Sequence, residues 1–411
     1  MEDSELLAYA IARAWPDDPK EVPPELAAIE PELLDELRAL DGGVGAATEL
    51  PQRRIRALLD GVPALRNRVY VELDHLIDTI ERGPGPRLDD GLRRIRHSQV
   101  EIGYVTDRSP TGVAGAEHRY GSQRARTLSF GVARVSIPDD HRMGRLPRPR
   151  GWRLWFRPDR ASHLELDGAG ELTDVLTRLR TRAPRPDLLV FVHGFNVGFA
   201  DAVRRTAQLA YDLNFTGVPV LYSWPSEGET LSYFVDGENA AASQWNFRTF
   251  LRAVTGDQDG GRVHVVAHSM GNRILSEALS ALDTYRLGQV VFAAPDVDAG
   301  VFADRAAAFT GTAERYTLYT SARDRALAAA RQFVRHPRAG QAGPGLVVVK
   351  GVDTIDVSEL DTDFLSHSYV LEHRSVVADL YALIEHGRPP EQRFGLAPMM
   401  APNGPYWKFR R

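Results

Sequence analysis

The run Val265-Val266-Ala267-His268-Ser269-Met270-Gly271-Asn272-Arg273 places a serine where an apolar strand gives way to a helix. Ile274, Leu275, Ala278, Leu279 and Leu282 follow at helical spacing. A serine on such a sharp strand-to-helix turn points its hydroxyl out of the sheet, ready to attack a carbonyl. The residues two before and two after it are pressed together and must be small. Gly271 meets that demand fully, and Ala267 meets it with one extra methyl. The helix that follows turns backbone N–H groups toward the position where negative charge develops. The short motif alone occurs often by chance. The alternative is a serine that merely caps a core helix, and the strand before and amphipathic helix after weigh against it.

A nucleophilic serine needs an oxyanion hole, a base and an acid. Phe191-Val192-His193-Gly194-Phe195-Asn196 ends an earlier apolar run in a His-Gly turn. The Phe195 amide is the expected oxyanion donor, paired with that of Met270. The alternative is an ordinary strand-to-helix loop in which Asn196 is a cap. The acid and base are expected after the serine in chain order. Asp324 follows the apolar run Tyr316–Thr320 and is the favoured acid, with Asp296 and Asp298 as competitors whose other reading is loop capping. His367 is the favoured base, in Leu365-Ser366-His367-Ser368-Tyr369, with His373 next; His336 and His386 are weaker. His193 and Asn196 in the His-Gly turn, and His268 next to the serine, are expected to contact substrate. For His268, as for His264, packing or support of the site is the other reading.

The elements that must position these groups are legible as periodicity. After residue 187, short apolar runs at 188–192, 218–222, 263–267, 289–294 and 315–320 alternate with helical patterns near 199–213, 238–254, 271–283, 322–334 and 373–386. That alternation predicts an α/β fold, a mostly parallel sheet flanked by helices. Strands are expected around 100–105 and 152–156, with 128–132 and 135–137 forming either a further pair or one long bent strand; antiparallel pairing among them would make the sheet mixed. Residues 163–182 read as a strand end and a helix. Residues 1–95 carry helical spacing of Leu, Ile and Val and stop at Gly83-Pro84-Gly85-Pro86, which sets a boundary. The expected division is a helical segment over 1–95, either a cap on the hydrolase core or an interaction module, a hydrolase domain over 98–390 and a C-terminal tail over 391–411.

Composition narrows the chemistry. Of 411 residues 43 % are apolar and 26 % charged, as in globular chains. The absence of cysteine excludes disulfides, thiolate metal sites and cysteine nucleophiles. Fifty basic against 55 acidic residues leave a net charge of −5, which gives no reason to expect nucleic acid as a partner. Seven arginines between Arg142 and Arg160 read as a solvated loop feeding a strand, with binding of an anionic substrate or nucleic acid as the other reading. No metal-ligand spacing, phosphate loop or dinucleotide signature stands out, so no cofactor is expected. The acidic N-terminus lacks a secretory pattern and no run is long enough to span a membrane, so a cytoplasmic location is expected.

Residues from about 98 to 387 resemble the bacterial α/β-hydrolase family of unknown function, DUF900. The resemblance rests on Tyr104-Val105-Thr106-Asp107-Arg108, Val135-Ser136-Ile137-Pro138, Phe191 to Asn196, Tyr222-Ser223-Trp224-Pro225-Ser226, Ala267 to Arg273, Ala294-Pro295-Asp296-Val297-Asp298 and His367-Ser368-Tyr369. It implies an α/β-hydrolase fold with a triad of Ser269, Asp324 and His367, and it supplies no substrate. The turn at Trp224 either lines the pocket or is a rigid proline turn with a buried indole. The expected function is a serine hydrolase acting on an ester, with lipid and acyl esters as candidate substrates. The competing reading is a partner-binding module on a hydrolase scaffold, recruited through residues 1–95.

Overall fold

The computed structural model describes residues 97–113, 115–138, 143, 164–167, 170–227, 232–256, 261–281, 287–322, 336–360, 371 and 373–410, with Leu58. The chain divides into two units, residues 1–94 with 150–158 and residues 95–149 with 159–411. Apart from Leu58, every described residue belongs to the second. The helical segment expected over 1–95 and the strand expected at 152–156 therefore lie outside the described residues, as does nearly all of the helix expected over 322–334.

The second unit is built on one eleven-stranded sheet. Its strands are β1 (His97–Pro110), β2 (Tyr120–Pro138), β3 (Leu164–Asp167), β4 (Leu188–Val192), β5 (Val218–Ser223), β6 (Val263–His268), β7 (Leu287–Ala293), β8 (Ala313–Thr320), β9 (Val352–Asp356), β10 (Leu396–Ala401) and β11 (Gly404–Phe409). The described helices are α1 (Leu172–Arg180), α2 (Phe199–Asp212), α3 (Tyr233–Thr255), α4 (Gly271–Ser280), α5 (Ala299–Phe309) and α6 (Arg374–Ile384). The strand order is β10-β11-β9-β8-β7-β6-β4-β5-β1-β2-β3. From β1 through β9 to β11 all neighbours run parallel, and antiparallel pairs close both ends. This is the expected α/β architecture.

The central strands are buried along their whole length, which is why they read as unbroken apolar runs. Side chains alternate between the faces. Leu188, Val190 and Val192 meet the face covered by α1, α3, α4 and α5, while Leu189 and Phe191 meet the face covered by α2 and α6. Each helix supplies an apolar stripe, such as Ile274, Leu275, Ala278 and Leu279 from α4 and Val376, Val377, Leu380 and Leu383 from α6. Among the described residues no helix is long and apolar enough to cross a membrane.

One expectation is corrected, one alternative is decided and one helix is added. Residues 391–411 are no tail: β10 and β11 form a hairpin that extends the sheet, with Trp407 and Lys408 pairing beside Ile355 and Asp356. Leu396 and Phe409 of that hairpin are buried in the core, and this burial holds it in place. The stretches at 128–132 and 135–137 form one long strand, β2, the second of the two arrangements expected. Helix α5 carries no helical expectation above, yet Asp298 caps it, its Oδ1 accepting from Gly300 N and Val301 N at 2.9 and 3.0 Å.

Candidate active site

The chain leaves β4, runs through β5 on one side, and crosses back to β6 on the other. The crevice beyond the carboxyl ends of β4 and β6 is therefore a topological switch point, where α/β sheets place their sites. Val192 pairs with Ala267. Two residues past each stand Gly194 and Ser269, so the register alone sets the His-Gly turn against the serine.

Ser269 sits between β6 and α4 with φ 50, a left-handed conformation unusual for a serine. Its N–H donates to Ala293 O at 2.9 Å, and its carbonyl accepts from Asp296 N at 3.1 Å and Asn272 N at 3.1 Å. The fully buried Asn272 ties the turn further, Nδ2 lying 3.1, 3.0 and 3.3 Å from the carbonyl oxygens of Ala267, Ser269 and Ala293. Gly194 must be glycine: a β-carbon there would stand 2.9 Å from Ser269 Cβ and 2.8 Å from His268 Nδ1. Met270 is the N-cap of α4, with no side chain capping the helix. Among the described residues neither the Phe195 nor the Met270 amide donates to another group.

Of the residues expected to touch substrate, Asn196 is exposed, with φ 59. His268 is nearly buried beside Gly194. His193 and Trp224 are buried and stacked on each other, 5.1 Å apart, and the Trp224 indole N–H donates to His193 O at 2.7 Å. Their side chains serve the interior, and the reading of Trp224 as the buried indole of a proline turn fits this placement. His193 Nδ1 lies 2.8 Å from Gly194 O and Nε2 lies 3.2 Å from Ser223 Oγ. Burial first, and then the Arg108 charge, push its pKa down to about 3, so the ring is neutral. His264 is likewise interior, its Nδ1 accepting from Gln289 N at 3.0 Å.

Asp324 and His367 lie outside the described residues. The residues that lead toward them are described: Ser321 and Ala322 follow β8, and Val357 to Leu360 follow β9, at the carboxyl ends of strands that run parallel to β6. Ala322 N donates to Ser358 Oγ at 2.8 Å, and Ser358 is in turn hydrogen-bonded to Asp356. The competitors have other work. Asp298 caps α5. Asp296 is buried between two guanidinium groups, 2.9 Å from Arg273 Nη2 and 3.1 Å from Arg338 Nε, and accepts from Tyr233 Oη at 2.8 Å. His373 caps α6 by accepting from Ser375 N at 3.2 Å, and His336 and His386 are exposed.

Two residues beside the site were given no role in the sequence. Arg108, buried at the end of β1, donates to Ser223, Gly121, Ser226 and Val197. Tyr233, at the start of α3, packs edge-on against Phe195 at 5.6 Å. Its pKa is pushed up to about 12 by burial and by Asp296, so it stays a phenol. The Tyr104–Arg108 motif carried the signal for Arg108; nothing in the sequence singled out Tyr233. Among the described residues no group of three or more His, Asp or Glu is arranged to hold a metal ion.

A solved structure described as wild-type AbyA5 aligns over 96 % of this chain and 97 % of its own at 16 % identity. Its TM-score of 0.30 carries no argument about fold or function. No curated protein matches the chain. The family model described as alpha/beta hydrolase of unknown function (DUF900) matches residues 169–386, which span α1 through α6 and both turns of the site. That match covers more than half of the chain, its strand order and elbow fit the description, and the protein belongs to this α/β-hydrolase family.

Proposed function

We propose that the protein is a serine hydrolase that cleaves an ester through an acyl-enzyme, with Ser269 as nucleophile, His367 as base and Asp324 as the acid that orients it. The observation that carries this reading is the left-handed Ser269 at the head of α4, faced by Gly194 at the end of β4. Such a turn costs backbone strain, and strain of this kind is retained where a side chain must be presented for reaction. The engagement of Asp296, Asp298 and His373 elsewhere supports Asp324 and His367 as their partners.

In the reaction Ser269 Oγ attacks the ester carbonyl while His367 takes its proton. The carbonyl oxygen becomes an oxyanion, received by the Phe195 and Met270 amides. The tetrahedral intermediate expels the alcohol, which takes the proton from His367. Water then attacks the acyl-enzyme, giving its proton to His367, and the collapse releases the carboxylic acid and returns the proton to Ser269. Asp324 stabilises the imidazolium in both halves. Lipid and other acyl esters are the proposed substrate class, because this fold often hosts such chemistry.

A p-nitrophenyl ester series of increasing chain length tests the reading. The wild type is expected to hydrolyse one or more members with saturation. Asp324→Asn and His367→Ala are expected to lose about 10³-fold or more in kcat. A well-folded wild type that turns over no ester, or an unimpaired His367→Ala, would contradict it.

A further inference from the structure

The turn that carries the Phe195 amide is held by a hydrogen-bond chain that starts at a buried arginine. Arg108 is 1 % exposed. Its Nε donates to Ser223 Oγ at 2.9 Å, Nη1 to the carbonyls of Gly121 and Ser226 at 3.0 and 2.9 Å, and Nη2 to Val197 O at 2.8 Å. A guanidinium can only donate, so Ser223 Oγ accepts from it and keeps its own proton for His193 Nε2, 3.2 Å away. At the far side of the ring, Nδ1 faces Gly194 O at 2.8 Å, and a carbonyl can only accept. Nδ1 therefore carries the hydrogen and Nε2 is bare. Both ends of the chain demand the same tautomer, and the neutral ring supplies it.

The Gly194 carbonyl shares a planar trans peptide with the Phe195 amide, so its oxygen and that N–H point in opposite directions. Pinning the oxygen fixes where the N–H points. We propose that Arg108 is a positioning residue of the oxyanion hole. It acts through Ser223 and His193 on the Gly194–Phe195 peptide, and directly on Val197 at the other end of the turn; the role rests on the hydrolase reading above. The rest of the turn is also held. Asn196 N donates to Asp236 Oδ2 at 3.4 Å, Val197 N to Ser226 Oγ at 3.2 Å, and Ser226 Oγ to Asp236 Oδ2 at 2.5 Å. The two amides after Phe195 are thereby occupied, and its own is left for the substrate. Asp107, Asp236 and Glu227 act on Arg108 through their charge, yet none forms an ion pair with it among the described residues. A guanidinium buried on these terms is costly, and its donors go to the walls of this turn.

The test compares Ser223→Ala, which deletes the middle link, with Ser223→Thr, which keeps the hydroxyl, and with Arg108→Lys, which keeps the charge but not the fork. The readouts are kcat and KM for p-nitrophenyl acetate, the rate of fluorophosphonate labelling at Ser269, and hydrogen exchange of peptides spanning residues 191–199. Ser223→Ala and Arg108→Lys are expected to lose about 10- to 100-fold in kcat and labelling rate, with KM changed less than about two-fold. Exchange at the turn should accelerate, and Ser223→Thr should keep most of the activity. Unchanged kcat in a folded Ser223→Ala, a loss confined to KM, or an equal loss in Ser223→Thr would overturn the proposal. Should Arg108→Lys fail to fold, the two Ser223 variants decide. A wild type that neither hydrolyses nor labels defeats the hydrolase reading itself, and the proposal falls with it; that outcome is distinct from an active wild type with indifferent variants.

Discussion

Gly271 lies so close to His193 that a β-carbon on it would stand 2.4 Å from the His193 carbonyl oxygen. The same atom would be 2.9 Å from Val192 O. The first turn of α4 is thus seated directly against the backbone that leads into the His-Gly turn, with no room for a side chain between them. Gly271→Ala must push backbone against backbone, so it is expected to destabilise the fold by about 1–3 kcal/mol and to lower kcat. Urea unfolding and ester hydrolysis measured on the same preparation check both.

Asn272 gives the elbow its second restraint. Replacement by alanine strips the carbonyls of Ala267, Ser269 and Ala293 of a buried donor, at an expected cost of about 1–3 kcal/mol. Asn272→Asp should be worse than Asn272→Ala, because it aims a carboxylate at three carbonyl oxygens. Thermal melts of the two variants give the order directly.

The C-terminal hairpin is anchored by a fully buried ion pair. Arg393 Nη1 lies 3.0 Å from Asp379 Oδ2, which also accepts from Tyr319 Oη, and neither charged side chain is exposed. Asp379→Ala strands a guanidinium in the core and should cost about 3–5 kcal/mol. The double variant Asp379→Leu with Arg393→Met should recover most of that loss. Denaturant midpoints of the single and double variants separate the two outcomes.

Acid should weaken the fold through its interior histidines. Burial, and secondarily the Arg262 charge, bring the His264 pKa down to about 4, and His193 is lower still. Between about pH 6.5 and pH 4 the unfolded chain binds protons on these rings that the folded chain refuses. Stability therefore falls as pH falls through that window, by up to about 1.4 kcal/mol per unit for each ring. Burial raises the pKa of Asp107, Asp236 and Asp379, so they oppose the trend in its acid part. His264→Gln should lose less Tm than the wild type between about pH 6.5 and 4.5.

The parts of this molecule that read clearly in sequence are those where one physical demand dominates. Buried parallel strands must be apolar throughout, so β4 to β8 stood out, and a sharp strand-to-helix turn must be flanked by small residues, so the one at Ser269 did. Position in a motif does not reveal which way a side chain faces: His193 and Trp224 border the site in sequence, yet they stack in the interior and support the turn from behind. Arg108 is 115 residues from its partner Ser223, and its burial depends on β1 lying beside β5. The strand Leu396-Ala397-Pro398-Met399-Met400-Ala401 lacks β-branched residues and contains a proline, so it carries no strand signal until β11 pairs with it.

The central claim is that Ser269 is an activated nucleophile, and covalent labelling tests it most directly. Wild type and Ser269→Ala are each treated with a fluorophosphonate and digested, and the modified peptide is located by mass. The expected result is one adduct, on Ser269, formed by the folded wild type and absent from an equally folded Ser269→Ala. A folded wild type that takes up no label, or a Ser269→Ala variant labelled as fast as the wild type, would contradict the account.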